Sequence, residues 1–391
     1  MTVDTTEKTD WKALEEQYVL PTYKKFPLSL ERGKGNYVYD ENGEKYLDLY
    51  AGHAVTILGH NPKVVVDALH AQTDKLLFYS NLVHSRIRAE AARSLVSLCE
   101  VKGGKVFFCN SGAEANENAM TIARIVTKRS MIVTTSGSFH GRTAGALGAT
   151  GIAKYKASRP GLATDLEEVP FGDLNAAAVA LDKNAAAFLV EPIQSMAGVI
   201  VPPPGYLQGL ETLCRARGAL LIFDEVQTGL GRTGAPSAAW CYGARPHLQT
   251  FAKALGSGVP CGAVVASEEI GASLKPGDLG STFGGGPLAC AAIKATCDEI
   301  RWNRMWEQAE GTAAILRSSF KFPQLKEIRG KGLLIGLVFD RPAREIRDAL
   351  LKEHILVGLS EDPSVVRLLP PLTITGKEIN ILRKALGRIL A

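Results

Sequence analysis

"IFDEVQTGLGRTG" (Ile222–Gly234) runs from an apolar segment into two adjacent carboxylates and then into glycine-rich chain. The residues from Ala219 to Phe223 read as a strand covered on both faces, so Asp224 falls at the carboxyl edge of a central strand. An ionised carboxylate there is costly unless a cation or strong donors meet it. The residues alone leave two answers open. Asp224 caps a loop or pairs with an arginine such as Arg232, or it faces a cation that the chain does not itself carry.

Outward from this stretch, short apolar runs recur at Val106–Phe108, Met131–Val133, Ala186–Val190 and Gly262–Ala266. Helical patterns at Arg86–Glu100 and Glu114–Thr127 alternate with them. The alternation predicts an α/β fold with a mostly parallel central sheet covered by helices. Ahead of it, "GNYVYDENGEKYLDLY" has strand residues on either side of Asn42-Gly43, the signal of a hairpin. Beyond Cys290 a helix-rich stretch leads to strand-like Gly332–Phe339 and Val365–Pro371. We therefore expect residues 1–60 to form an arm and part of a smaller α+β domain, 61–290 a large domain, and 291–391 the rest of the small domain. The alanine-rich "AAAVALDKNAAA" (Ala176–Ala187) reads as helical.

Composition narrows the function classes. The chain has 391 residues, 46% apolar and 22% charged, enough to bury a sizeable core. Its net charge of +5 comes from 45 basic and 40 acidic residues that are interspersed, which disfavours nucleic acid as a partner. No apolar window reaches the roughly 20 residues of a membrane span, and no signal peptide is visible, so a cytoplasmic protein is expected. The seven cysteines include no CxxC pair, and no metal site is expected.

In open parallel sheets ligands bind beyond the carboxyl ends of the strands. After Val106–Phe108 comes "CNSGAEANENAM", where Ser111 and Glu114 form a capping-box pattern and Gly112 lets a ligand approach the backbone. Such a helix start suits a phosphate, although a plain capped helix gives the same pattern. Neither GxGxxG nor GK[ST] is present here. Lys253, twenty-nine residues after Asp224, stands between apolar neighbours in "TFAKALG". Burial there lowers an amine's pKa and makes it a nucleophile. An acid, a sheltered lysine and a phosphate-binding helix start are what pyridoxal phosphate requires. Its aldehyde takes the lysine, its phosphate takes backbone donors, and its ring nitrogen keeps a proton beside a carboxylate.

With these stretches, "FHGRTAGAL", "VEPIQ", "GSTFGGGPLACAA", "RGKGLLIGL" and "VRLLPPLTIT" follow in an order and spacing that resembles the class III pyridoxal-phosphate aminotransferases of fold type I, most of all their acetylornithine branch. The resemblance runs from about Pro21 to the end of the chain. It implies that Lys253 is the Schiff-base lysine and general base, that Asp224 holds the pyridinium nitrogen, and that Gln227 bonds the ring oxygen. By the same resemblance Ser111, Gly112 and Ala113 form the phosphate site, and Ser281 and Thr282 reach a phosphate in a neighbouring subunit, implying a homodimer. Phe139 stacks on the ring, an ordinary core aromatic being the alternative, and His140 and Glu225 are structural. Arg142 takes the α-carboxylate of an acylated donor and Arg367 a carboxylate of glutamate or 2-oxoglutarate, a task suited to the guanidinium fork. Tyr23 lines the substrate channel, and Glu191 falls near the cofactor face.

One departure matters. The family's "EPIQGEGG" is here "EPIQSMAG", so Ser195 and Met196 stand where Gly-Glu is usual, and Arg367 loses an acidic partner. Gly286 also replaces a common asparagine. The expected activity is transfer of the terminal amine of an N-acyl diamino acid such as N-acetylornithine to 2-oxoglutarate, in arginine or lysine biosynthesis. The alternatives are an ornithine or 4-aminobutyrate aminotransferase, a mutase or decarboxylase on the same fold, and a catalytically silent cofactor-binding regulator.

Overall fold

The computed structural model describes residues 10–157 and 159–391, so the first nine residues of the expected arm lie outside it. The arm carries β1 (Leu30–Lys34), β2 (Tyr37–Asp40) and β3 (Lys45–Asp48). β2 and β3 form the expected antiparallel hairpin, and Gly43, at φ 82°, supplies the left-handed position that closes it.

The central sheet is built from β4 (Lys105–Cys109), β5 (Met131–Thr135), β6 (Leu166–Val169), β7 (Ala185–Val190), β8 (Leu220–Asp224), β9 (Leu248–Phe251) and β10 (Gly262–Ala266). Among the described residues it has seven strands in the order β4-β10-β9-β8-β7-β5-β6. Only β10 runs against the rest, pairing antiparallel with both β4 and β9. Each apolar run read as a strand is one. β6 and β9 went unread because Glu167 and Glu168, and Gln249 and Thr250, interrupt their apolar pattern.

The alanine-rich segment corrects a sequence expectation. It is helical only in its first half, within Leu174–Ala180, and then turns at Asp182–Asn184 into β7. Ala185, Ala186 and Ala187 are fully buried in the sheet, and that burial overrides alanine's helix propensity.

Parity along β8 sets up the site. Leu220 and Ile222 face the helix Gly112–Thr127 and pack with its Ala115, Ala119 and Ala123. Leu221 and Phe223 face the helix Tyr206–Arg217 and pack with its Leu207 and Leu210. Alternation therefore turns Asp224, the next even residue, towards the Gly112–Thr127 helix.

The carboxyl-terminal part contributes β11 (Leu325–Lys331), β12 (Leu334–Phe339), β13 (Ile355–Leu356), β14 (Gly358–Leu359) and β15 (Val365–Leu368). β13 pairs in parallel with β3, so both chain ends share one sheet. β15 lies between β12 and β14 and carries Arg367.

Candidate active site

The carboxyl ends of β4, β5, β7, β8 and β9 border a cavity of about 380 Å³. Its lining includes Ser111, Gly112, Ala113, Phe139, Glu191, Asp224, Gln227 and Lys253, so eight of the residues singled out in the sequence come together. The site stands on strand ends and a helix start, elements whose backbone is already fixed by pairing.

Asp224 is 4% exposed. Its Oδ2 accepts from Asn116 Nδ2 and from His140 Nδ1, both at 2.7 Å, and its Oδ1 accepts from the Val226 amide at 3.0 Å. A carboxylate only accepts, so His140 Nδ1 carries the hydrogen. Asn116 is itself fixed, donating to the His140 carbonyl at 2.8 Å and accepting from Thr250 Oγ1 at 2.7 Å. Arg232, the protein cation considered for Asp224, donates instead to the carbonyls of Leu333 and Pro370.

Lys253 opens a short 3₁₀ turn after β9 with φ 45°, a left-handed backbone that a non-glycine residue holds only under constraint. Burial pushes its amine below the usual lysine range, and Arg367 adds to the effect while Asp224 and Glu191 oppose it. Glu191 accepts the Phe139 amide at 2.8 Å, and burial holds its carboxyl above the ordinary range.

The helix Gly112–Thr127 is capped by Ser111, whose Oγ accepts the Glu114 amide at 3.2 Å. The amides of Gly112 and Ala113 precede the first intrahelical donor, and both residues line the cavity. A Cβ at Gly112 would stand 2.9 Å from Val226 Cγ1, another lining residue, so glycine keeps this cradle open. Phosphate at that helix start, amine at Lys253 and a ring nitrogen at Asp224 match the donors and charges pyridoxal phosphate needs. Phe139 forms an edge-on pair with Tyr155, leaving its ring beside the cavity.

The remaining residues lie around this centre. Arg142 is exposed, its guanidinium carbon 4.4 Å from the Tyr155 ring centre and 5.7 Å from that of Phe139. Arg367 is 1% exposed and donates to Leu359 O, Ser195 Oγ, Gln227 Oε1 and Tyr50 Oη. Gln227 thus touches Arg367 while also lining the cavity, and Met196 lines it too. Ser281 and Thr282 do not line it, but Ser281 Oγ accepts from Asn110, a lining residue, at 3.4 Å. Tyr23 is 80% exposed and stands outside the lining.

Sequence reasoning missed Asn116, Tyr50 and His53, and gave His140 no contact with Asp224. Tyr50 leads into four successive left-handed residues, Ala51 to Ala54, with φ from 50° to 67°. Asp48 Oδ1 anchors that turn by accepting the amides of Tyr50 and Ala51, both at 2.8 Å. His53 Nδ1 lies 2.8 Å from Tyr50 Oη, and its pKa is pushed down to about 4 by desolvation, then by Arg367 and Lys253.

Fold and site together define an aminotransferase that works with pyridoxal phosphate. The family Aminotransferase class-III matches residues 18–390. Similar proteins include the acetylornithine aminotransferases of Methanothermobacter thermautotrophicus, 39% identical over 97% of both chains, and Methanopyrus kandleri, 42% identical over 97% of this chain and 98% of the other. Among solved structures, the ornithine aminotransferase of Toxoplasma gondii superposes with a TM-score of 0.92 at 33% identity, covering 98% of this chain and 96% of that one. The acetylornithine aminotransferase of Elizabethkingia anophelis gives 0.84 at 32% identity, covering 97% of each. The chain belongs to the class III aminotransferases.

Proposed function

We propose that the enzyme moves the terminal amino group of N-acetylornithine, or of a related N-acyl diamino acid, to 2-oxoglutarate, giving a semialdehyde and glutamate in arginine or lysine biosynthesis. The observation that carries this reading is the pair of arginines: Arg142 at the aromatic edge of the cavity and Arg367 buried behind Gln227. Two guanidinium groups on different sides suit one substrate carrying two carboxylates and another carrying a single carboxylate far from its reacting amine. The acetylornithine aminotransferases named above, matched over 97–98% of their length, support it.

When bound, pyridoxal phosphate supplies a ring that accepts the electrons released at the substrate carbon. The chain's own residues do the rest. Asp224, already oriented by Asn116 and His140, would hold the ring nitrogen's proton, and the Gly112 and Ala113 amides would hold the phosphate. Lys253 Nζ takes the proton from the carbon bearing the amine, and burial, by lowering its pKa, favours the free base that this task needs. Arg142 takes the distant carboxylate, and Arg367 takes the one attached to the reacting carbon of glutamate.

We also propose a homodimer and the division at residues 60 and 290. Leu76–Tyr79, Leu82 and Val83 form an exposed apolar stretch, and Phe283 beside Ser281 and Thr282 pairs with Phe78 at 5.1 Å. Such a patch next to the expected phosphate loop supports a shared site.

The test is kcat/KM for N-acetylornithine, N-succinylornithine and ornithine in the wild type and in Met196→Glu. We expect an N-acyl donor to lead in the wild type and the order to change in the variant. Ornithine leading in both would favour the ornithine reading, which the Toxoplasma gondii superposition also supports.

A further inference from the structure

Arg367 is a permanent cation in a place almost without water. It donates to Leu359 O at 2.7 Å, Tyr50 Oη at 2.8 Å, Ser195 Oγ at 3.0 Å and Gln227 Oε1 at 3.4 Å. All four acceptors are neutral oxygens, and among the described residues Arg367 forms no ion pair. The neighbouring titratable groups do not offset it. Lys253 carries an amine rather than an acid, and His53 is kept neutral near pH 7 by burial first and then by Arg367 and Lys253. Asp224 and Glu191, the carboxylates that act on Lys253, form no ion pair with Arg367 among the described residues; Asp224 is directed by Asn116, His140 and Val226, and Glu191 accepts the Phe139 amide. Met196, beside Ser195, brings a thioether to the cavity and no charge. A buried charge of this kind requires a counter-ion. The Gln227 contact is the longest of the four, and Gln227 lines the cavity, so it is the partner that yields to one.

We propose that Arg367 is an anion site served from solution: a small monovalent anion occupies it while the substrate's reacting carbon bears no carboxylate, and leaves when the carboxylate of glutamate arrives. The inference rests on the two-substrate reading above. It makes the two half-reactions respond to such an anion in opposite directions. With N-acetylornithine the anion offsets the guanidinium charge beside the reacting amine and accelerates transfer. With glutamate the same anion competes for the arginine.

Chloride is the probe, and the holoenzyme is used in chloride-free buffer with gluconate holding the ionic strength constant. Each half-reaction is followed by the absorbance of the bound cofactor. Chloride should raise the N-acetylornithine rate several-fold to saturation, and should raise the apparent KM for glutamate without changing kcat. In Met196→Glu, where the chain supplies the charge, both responses should vanish; in Met196→Gln, of similar size and neutral, they should persist. Bromide-soaked crystals should show an anomalous peak at the Arg367 guanidinium in the wild type and in Met196→Gln. Half-reactions that ignore chloride, or that shift in the same direction, overturn the proposal. Where both substrates react, a bromide peak without opposed kinetic responses marks an adventitious ion only and also overturns it. If N-acetylornithine fails to react while chloride still competes with glutamate and bromide marks Arg367, the donor assignment falls and the anion site stands. An N-acetylornithine reaction indifferent to chloride has the reverse meaning.

Discussion

Asp224 lies 4% exposed with three donors already on its oxygens, so its orientation is set before any ligand arrives. A charge-assisted hydrogen bond contributes about 1.5–3 kcal/mol, which at about 1.4 kcal/mol per decade is roughly 10–150-fold in rate. Asn116→Ala is therefore expected to lower kcat by that factor and to shift the absorbance of the bound cofactor. Adding His140→Ala should cost less than the product of the single effects, because both donors share Oδ2. Steady-state kinetics of the three variants check this, and unchanged kcat in Asn116→Ala would reject the positioning role. Lys253 carries a second expectation. Arg367 pushes its amine downward, so Arg367→Met should move that amine up. Only the neutral amine attacks an aldehyde. The pH profile for capture of pyridoxal phosphate by the apoenzyme should thus rise at higher pH in the variant, and a profile that stays in place contradicts the coupling. Asp224 was legible in the sequence because it ends an unbroken apolar run, and Lys253 because it stands between apolar neighbours with few charges nearby. Asn116 was legible in principle, being the one amide in a buried stripe with Ala115, Ala119 and Ala123. His140, Tyr50 and Ser195 were not, since their roles arise only when loops distant in the chain meet Asp224 and Arg367.

At the scale of elements, the five parallel strands reaching the cavity were readable wherever burial on both faces left an unbroken apolar run. β6 and β9 hid because polar residues sit in their interiors, and the left-handed turn at Ala51–Ala54 hid because only Gly52 in it signals that backbone. Tyr50 before that turn packs so closely on β14 that a Cβ at Gly358 would stand 2.0 Å from its ring. That one glycine thereby seats Tyr50, a hydrogen-bond partner of Arg367, against the sheet that carries Arg367. Glu225 shows what such joints cost. Its carboxylate caps the helix Ala238–Tyr242 through the amides of Ala238 and Ala239, yet burial raises its pKa from 4.5 to about 7. Here the folded form binds the proton more tightly than the unfolded one, so stability is highest below about pH 4.5 as far as this group is concerned and falls as pH rises towards 7. The difference corresponds to about 3 kcal/mol. Glu225→Gln abolishes that dependence and gives up one acceptor, about 1 kcal/mol. Urea midpoints should therefore favour the wild type near about pH 5 and the variant near about pH 8. A difference independent of pH would show that Glu225 titrates in the ordinary range.

For the whole molecule, the cofactor site is one-sided. Strand ends and a helix start surround the cavity from within the chain, whereas Ser281 and Thr282 stand outside its lining beside the most exposed apolar surface. Leu82 is 92% exposed and Phe283 is 64% exposed. Asn81 binds the two parts of this surface together, its side chain donating to the carbonyls of Ser281 at 3.0 Å and Gly284 at 2.9 Å. In the proposed homodimer, a second copy covering Leu82, Phe283 and their neighbours would remove apolar area from water and would bring the loop to a partner's helix start. Leu82→Asp places a charge in that contact without touching the loop, and burying an unpaired carboxylate costs several kcal/mol. The variant should sediment as a 41.9 kDa monomer where the wild type sediments at twice that mass. If the phosphate is held across the interface, the monomer should also release pyridoxal phosphate more readily, seen as a raised Kd in titrations of the apoenzyme. A monomer that keeps the wild-type Kd would leave the dimer in place and refute the shared site, and a wild type that sediments at 41.9 kDa would refute both.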